Sequence, residues 1–331
     1  MTDTQGILHL KTSSLVALSD IEAAAVRIRD VAVRTPLIEV GLEDGRHSTP
    51  PVTIGLKCEN FQPMGAFKIR GAYNMIASLS SDLRSAGVVT YSSGNHGQAV
   101  ALAARRLGIP AVVVMPETAP GVKVDGVRRY GGEVILAGTT SVDRRTRAEA
   151  EASARGLTIV PPFEHPWIIA GAGTCGLEIL DAQPDVTSVY VPVGGGGLIS
   201  GVAAALRGRR SNARIVGVEP AGAPKMSASL GAGHPVRLER TSSIADGLLP
   251  LQPGDLTFAH VQALVDEVVT VDDEAIAGAV RWLFREARIV AEPSGAATVA
   301  AVLKSVPRDG RTVAVISGGN ISAEDFARYI R

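Results

Sequence analysis

Lysine is nearly missing from this chain. Of 33 basic side chains only six are lysine: Lys11, Lys57, Lys68, Lys123, Lys225 and Lys304. Aromatic residues make up 4% of the 331 positions, too few to offer stacking platforms to nucleic acid bases. Net charge is absent, with 33 acidic residues against the 33 basic ones, so nothing calls for a polyanionic partner. Cysteine is limited to Cys58 and Cys175. That excludes a disulfide framework and metal-binding spacing, and it makes a reducing cytoplasm the expected compartment. No run of about 18 uninterrupted apolar residues occurs, so no membrane span is expected. The opening "MTDTQGILHLKTSS" lacks the cationic start and sustained apolar stretch of a signal peptide. The tail to about residue 17 and the stretch "GRHSTPP" read as flexible surface.

What is present is 46% hydrophobic residues, enough for one large unit or two domains with their own cores. "LSDIEAAAVRIRDVAVRTP" has Ser19 followed three residues on by Glu22, a capping-box pattern, and Pro36 closes it. Beyond it, short Val/Ile-rich strands ("GVVTYSS", "IPAVVVM", "EVILAG", "TSVYVPV", "ARIVGVE", "RTVAVIS") alternate with helical patterns. In "DDEAIAGAVRWLFREA" the spacing puts Ile276, Val280, Leu283, Phe284 and Ala287 on one helical face. Such alternation predicts an α/β fold with two open, mostly parallel twisted sheets and flanking helices.

In such folds ligands sit beyond the carboxyl ends of the strands. Four polar or glycine-rich elements fall there. The turn "MGAFKIRGAYN" carries Lys68, and an amine that can lose its proton forms Schiff bases where an arginine cannot. "VPVGGGGLISG" puts Gly194, Gly195, Gly196 and Gly197 between a strand and a helix, where backbone N–H groups and the helix N-terminus suit a phosphate. "YSSGNHGQAV" offers Ser92, Ser93, Asn95 and His96 to a carboxylate or phenolate ligand, or else caps its helix. His96 has no partner histidine at zinc spacing. "AVISGGNI" places Ser317 at a strand end, where its hydroxyl can meet a ring nitrogen or simply stabilise a tight turn. An imine-forming lysine with a phosphate cradle is what pyridoxal phosphate requires. The rival class is a nicotinamide (NAD(P)) reductase. It is weakened because a G-x-G-x-x-G read from Gly195 meets Ser200 and finds its glycine one residue late, at Gly201. A non-catalytic ligand-binding protein on the same scaffold is a further alternative, and no G-x-S-x-G elbow supports a serine hydrolase.

The segments "KCENFQPMGAFKIRGAYN", "SSGNHGQAVALAARRLGIPAVVVMPETAP", "IIAGAGTCGLEIL", "VPVGGGGLISG", "GVEP", "IADGL", "AEPSGA" and "ISGGN" resemble those of the fold-type II pyridoxal-phosphate enzymes. The closest likeness is to the serine/threonine dehydratase and serine racemase family, and it runs from about residue 19 to about 325. The related sulfhydrylases and threonine synthases carry an acid after the lysine, where Ile69 stands. The resemblance implies the tryptophan synthase β-like fold. A large cofactor domain would comprise 1–78 and 161–331, and a small mobile domain 79–160. It further implies a homodimer acting on a small amino acid. Lys68 would bind pyridoxal 5'-phosphate as a Schiff base and take the substrate Cα proton. Phe67 would lie along the ring, Asn95 would bond its oxygen, Gly194 to Gly197 would hold its phosphate, and Ser317 would meet its nitrogen. Ser92, Ser93, Asn95 and His96 would receive the substrate carboxylate, with Ser93 as proton carrier on the face opposite Lys68.

The implied activity is dehydration of L-threonine or L-serine followed by hydrolysis of the product, which gives a 2-oxo acid and ammonia. Serine racemization, or elimination from 3-hydroxyaspartate or a β-aryl serine, is the alternative. Two departures bear on this. Ala66 replaces the family's serine two residues before the lysine, which puts substrate choice in question. Lys225 stands where the racemases have an acid of a divalent-metal site, six residues after the kept Glu219. No metal is therefore expected, and Lys225 is expected to pair with Glu219.

Overall fold

The computed structural model describes residues 14–42, 52–92, 94–119, 121–305 and 310–331. Ser93, "GRHSTPP" and the N-terminal tail through residue 13 lie outside them. The described strands are β1 (Leu37–Gly41), β2 (Thr53–Cys58), β3 (Val88–Tyr91), β4 (Ala111–Met115), β5 (Glu133–Leu136), β6 (Thr158–Ile159), β7 (Val186–Pro192), β8 (Arg214–Pro220), β9 (Glu267–Val271) and β10 (Arg311–Ile316). They form two sheets. The larger has the order β1-β2-β10-β7-β8-β9 and the smaller β5-β4-β3-β6. Every pairing is parallel except β1 with β2.

Parallel strands covered by helices on both faces must be apolar throughout, and β4 is buried along its whole length. The Asn95–Leu107 helix stops at Gly108, whose φ of 69° suits a glycine. It packs Ala99, Val100 and Ala103 against Ile69, Ala72 and Ile76 of the Lys68–Ser78 helix. No described helix is long and apolar enough to cross a membrane.

Two local expectations change. The first helix begins at Leu18, not after Ser19, because the Asp20 carboxylate accepts the Ala17 N–H at 3.1 Å; it ends at Ile28, well short of Pro36. The helix at Asp273–Trp282 widens into a π turn at Leu283–Ala287. That extra residue per turn rotates Phe284 off the buried face, leaving it 38% exposed and edge-on to Phe326. The "IIAGAGTCGLEIL" segment forms most of a 17-residue helix, Pro166–Ala182, that packs against the Lys68–Ser78 and Gly197–Gly208 helices.

Strand order positions the site. β2, β10 and β7 are parallel neighbours, so the Lys68 turn, Ser317 and the glycine loop all follow the carboxyl ends of adjacent strands of one sheet. The loop holding Ser92 and Asn95 leaves the corresponding end of β3 in the smaller sheet.

Candidate active site

Lys68 opens its helix directly after Phe67. The turn before it needs Gly65, whose φ is 80°. Here the chain pairs with the segment after β10: Phe67 N–H donates to the Ser317 carbonyl at 3.0 Å, and Gly319 N–H to the Gly65 carbonyl at 2.9 Å. Ser317 is thereby held one residue from Lys68. Its hydroxyl makes only a long 3.4 Å bond to the Ser294 carbonyl and so stays available to another acceptor or donor.

A buried charge cluster fixes the lysine helix from behind. Arg70 donates to both oxygens of Glu59, at 2.7 and 2.8 Å, and to both of Glu178, at 2.7 and 2.8 Å. Lys57 reaches Glu178 at 2.5 Å and the Thr35 carbonyl at 2.7 Å. The fork geometry of arginine suits such double bidentate pairing. The helix that supplies Glu178 crosses closely, since a Cβ on Gly71 would sit 2.8 Å from the Ile168 carbonyl.

Lys68 points its amine the other way. Nζ donates to the Pro162 carbonyl at 2.8 Å and lies 5.0 Å from the Phe67 ring centre. Loss of water pushes its pKa down to about 8, with no carboxylate to oppose the shift. Such an amine still carries its proton most of the time at pH 7 but gives it up far more easily than a solvated lysine, and the neutral form is the one that attacks a carbonyl carbon. Phe163, next to Pro162, packs on the glycine loop so tightly that a Cβ on Gly195 would collide with its ring. The lysine head therefore lies beside that loop.

Within the loop Gly196 has φ 100°, and the Gly197–Gly208 helix starts at the next residue. The first bond back to the loop is Ser200 N–H to the Gly196 carbonyl at 3.0 Å. A helix start leaves the N–H groups of its first turn without helical acceptors, with the positive end of the helix dipole behind them. This fits a phosphate. The nucleophilic amine beside it and the serine at the neighbouring strand end complete a donor set suited to pyridoxal phosphate.

Asn95 sits at the start of its helix with both ends of its amide engaged. Nδ2 donates to Glu292 at 2.6 Å, and Oδ1 accepts from Asn320 at 2.8 Å. The second Nδ2 proton remains for a ligand. Ser92 Oγ accepts the Gly94 N–H at 3.2 Å and keeps its own O–H to donate to a ligand. The His96 ring turns inward, with Nε2 at 3.1 Å from the Val160 carbonyl; burial, with the Lys68 charge adding to it, pushes its pKa down to about 3. A neutral ring facing a carbonyl must carry its proton on Nε2. This leaves the backbone N–H of His96 as its nearest donor to a carboxylate at the helix start.

Glu292 is the residue that sequence reasoning misses. It is 5% exposed and caps the Pro293–Lys304 helix. Burial, together with the nearby charge of Asp246, pushes its carboxyl up to about 8, against the pull of the Asn95 amide. Its stretch "AEPSGA" sets an acid among small residues ahead of a helix, but nothing in it points to Asn95, 197 residues away.

The likeness to known proteins is consistent with this geometry. Residues 28–318 match the family described as pyridoxal-phosphate dependent enzyme. The chain is 45% identical over 320 residues to the L-threonine ammonia-lyase of Thermotoga maritima, covering 96% of this chain and 78% of that protein. It is 37% identical to the serine racemase of Schizosaccharomyces pombe, over 96% of this chain and 98% of that one. Among solved structures, the processed threonine deaminase isoform 2 of Solanum lycopersicum superposes with a TM-score of 0.88 at 39% identity, covering 94% of this chain and 86% of that one. The nicotinamide reductase alternative falls away. A desolvated lysine beside a glycine loop at a helix start, in a chain matched along most of its length, makes this protein a member of the pyridoxal-phosphate dependent enzymes.

Proposed function

We propose that the protein eliminates water from a small β-hydroxy amino acid, L-threonine or L-serine, and that the released enamine tautomerises and takes water back on hydrolysis, giving a 2-oxo acid and ammonia. The observation that carries this is the Lys68 amine, desolvated, unpaired with any acid among the described residues and aimed beside the glycine loop. Pyridoxal phosphate, when bound, supplies the electron withdrawal that acidifies the substrate Cα. The chain supplies the rest. Lys68 Nζ, once free, takes the Cα proton. The loop Gly194–Gly197 holds the phosphate on N–H groups. Phe67 would flank the ring, and the Ser317 hydroxyl would meet its nitrogen. The start of the Asn95–Leu107 helix receives the substrate carboxylate through Ser92, Ser93, Asn95 and the His96 backbone. Ser93 serves the opposite face of Cα.

Residues 79–160 act as a small unit that closes over the substrate against 1–78 and 161–331. Support comes from contacts that bridge the two sheets' segments: Asn95 with Glu292 and Asn320, and the Lys123–Asp246 ion pair. We assign the protein to the cytoplasm from its cysteine usage and to a homodimer from its family resemblance; light scattering tests the latter.

Serine racemization is the second reading, favoured by the match over 98% of the S. pombe enzyme. The test is a screen of L-threonine, L-serine and 3-hydroxyaspartate for 2-oxo acid release, with D-serine measured in parallel. Keto-acid release from L-threonine or L-serine is the expected result. D-serine formation outpacing keto acid would favour the racemase, and no turnover of any substrate would sink both readings.

A further inference from the structure

Lys225 opens the Lys225–Ala232 helix with no exposed surface, and its head meets four oxygens. Nζ lies 2.9 Å from Glu219 Oε1, 2.9 Å from the Val193 carbonyl, and 3.1 Å from the carbonyls of Ala223 and Leu248. An ammonium has only three protons, so this is a cage of oxygens around a cation and not a simple ion pair. We propose that Lys225 is a tethered monovalent cation. Its ammonium fills an oxygen-walled cation site and so holds together the two segments that flank the glycine loop.

The cage joins separate parts of the chain. Val193 immediately precedes Gly194, and Leu248 closes the Asp246–Leu248 turn. These two segments already touch: a Cβ on Gly194 would sit 2.9 Å from the Gly247 carbonyl. Glu219 is fixed independently, accepting Met226 N–H at 2.8 Å and the N–H and hydroxyl of Ser227 at 2.9 Å each. Without a cation, three carbonyl dipoles and a carboxylate would converge on an empty centre, which is repulsive in a buried site.

The size and charge of the cage select its occupant. Oxygens 2.9–3.1 Å from the centre stand too far out for Mg²⁺, at about 2.0–2.1 Å, or Ca²⁺, at about 2.3–2.6 Å. One carboxylate balances one positive charge. The wild-type protein therefore needs no alkali cation, and removing the side chain creates a site for ammonium or potassium. The link to cofactor binding rests on the glycine loop being the phosphate cradle; the thermal readout below does not.

The experiment compares wild type, Lys225→Ala and Lys225→Met as holoenzymes, in choline, ammonium and potassium chloride at equal ionic strength. Thermal midpoint and cofactor affinity are read in each. Wild type should be indifferent to the salt. Lys225→Ala should bind cofactor about tenfold or more weakly in choline, the scale of buried acceptors left unpaired, and should recover in ammonium or potassium. Lys225→Met, whose side chain fills the stem channel, should fall and not recover. Should Lys225→Ala be unfolded in choline, refolding on addition of ammonium, seen by circular dichroism, is the same rescue. The proposal is overturned if Lys225→Ala equals wild type in choline, if it is impaired or unfolded alike in all three salts, or if wild type itself depends on potassium. Rescue of the thermal midpoint without rescue of cofactor affinity would uphold the cation site and count against the cradle.

Discussion

At position 292 a carboxyl group sits almost out of water, holding the amide of Asn95. Its pKa rises from 4.5 to about 8 on folding, so the native state binds its proton more tightly than the unfolded chain does. The stability this gives is complete below about pH 4.5 and is lost as pH climbs through about 8. Glu292→Gln keeps an acceptor for Asn95 and removes the titration. The variant should match wild type near pH 4.5 and melt several degrees higher at pH 8.5, by scanning calorimetry; a constant difference across that range would contradict the account. Lys68, Asn95 and Ser317 are legible in the sequence because each stands at a strand end in a glycine-rich stretch. Glu292 is not, because its partner lies 197 residues away and only the fold joins them. For the same reason the inward turn of His96 is invisible: nothing near "GNHG" in sequence announces the Val160 carbonyl.

Two elements set the geometry of the site, and each has a breaking point. The glycine loop must adopt φ 100° at Gly196, and a Cβ there would also lie 2.9 Å from the Thr257 Cβ. Gly196→Ala should therefore weaken cofactor binding by about tenfold or more, from left-handed strain of about 1–2 kcal/mol plus the clash, measured by fluorescence titration. The lysine helix depends on Arg70. Arg70→Leu strands two carboxylates in the interior and should lower stability by about 3–5 kcal/mol in urea unfolding, more than an exposed arginine change would. A loss under about 1 kcal/mol would show that Glu59 and Glu178 find other partners. Element types are readable wherever apolar strands alternate with glycine-stopped helices. The short, half-exposed β1 and β9 carry no such contrast and do not stand out. The π turn at Leu283–Ala287 is likewise unmarked in the sequence.

Across the whole molecule, the decisive feature is that β10, near the end of the chain, inserts between β2 and β7. That crossover places residues 68, 194–197 and 317 beyond the carboxyl ends of adjacent strands, and no local pattern encodes it. The family resemblance implies the convergence before any contact is seen, and the strand order supplies the physical reason. The account rests on Lys68 being the lysine that binds the cofactor. The most direct test is borohydride reduction of the purified protein followed by peptide mass spectrometry. The cofactor mass should be found on the peptide containing Lys68 and on no other lysine. Label at Lys57, Lys123 or Lys225, or none at all on protein loaded with cofactor, would contradict it.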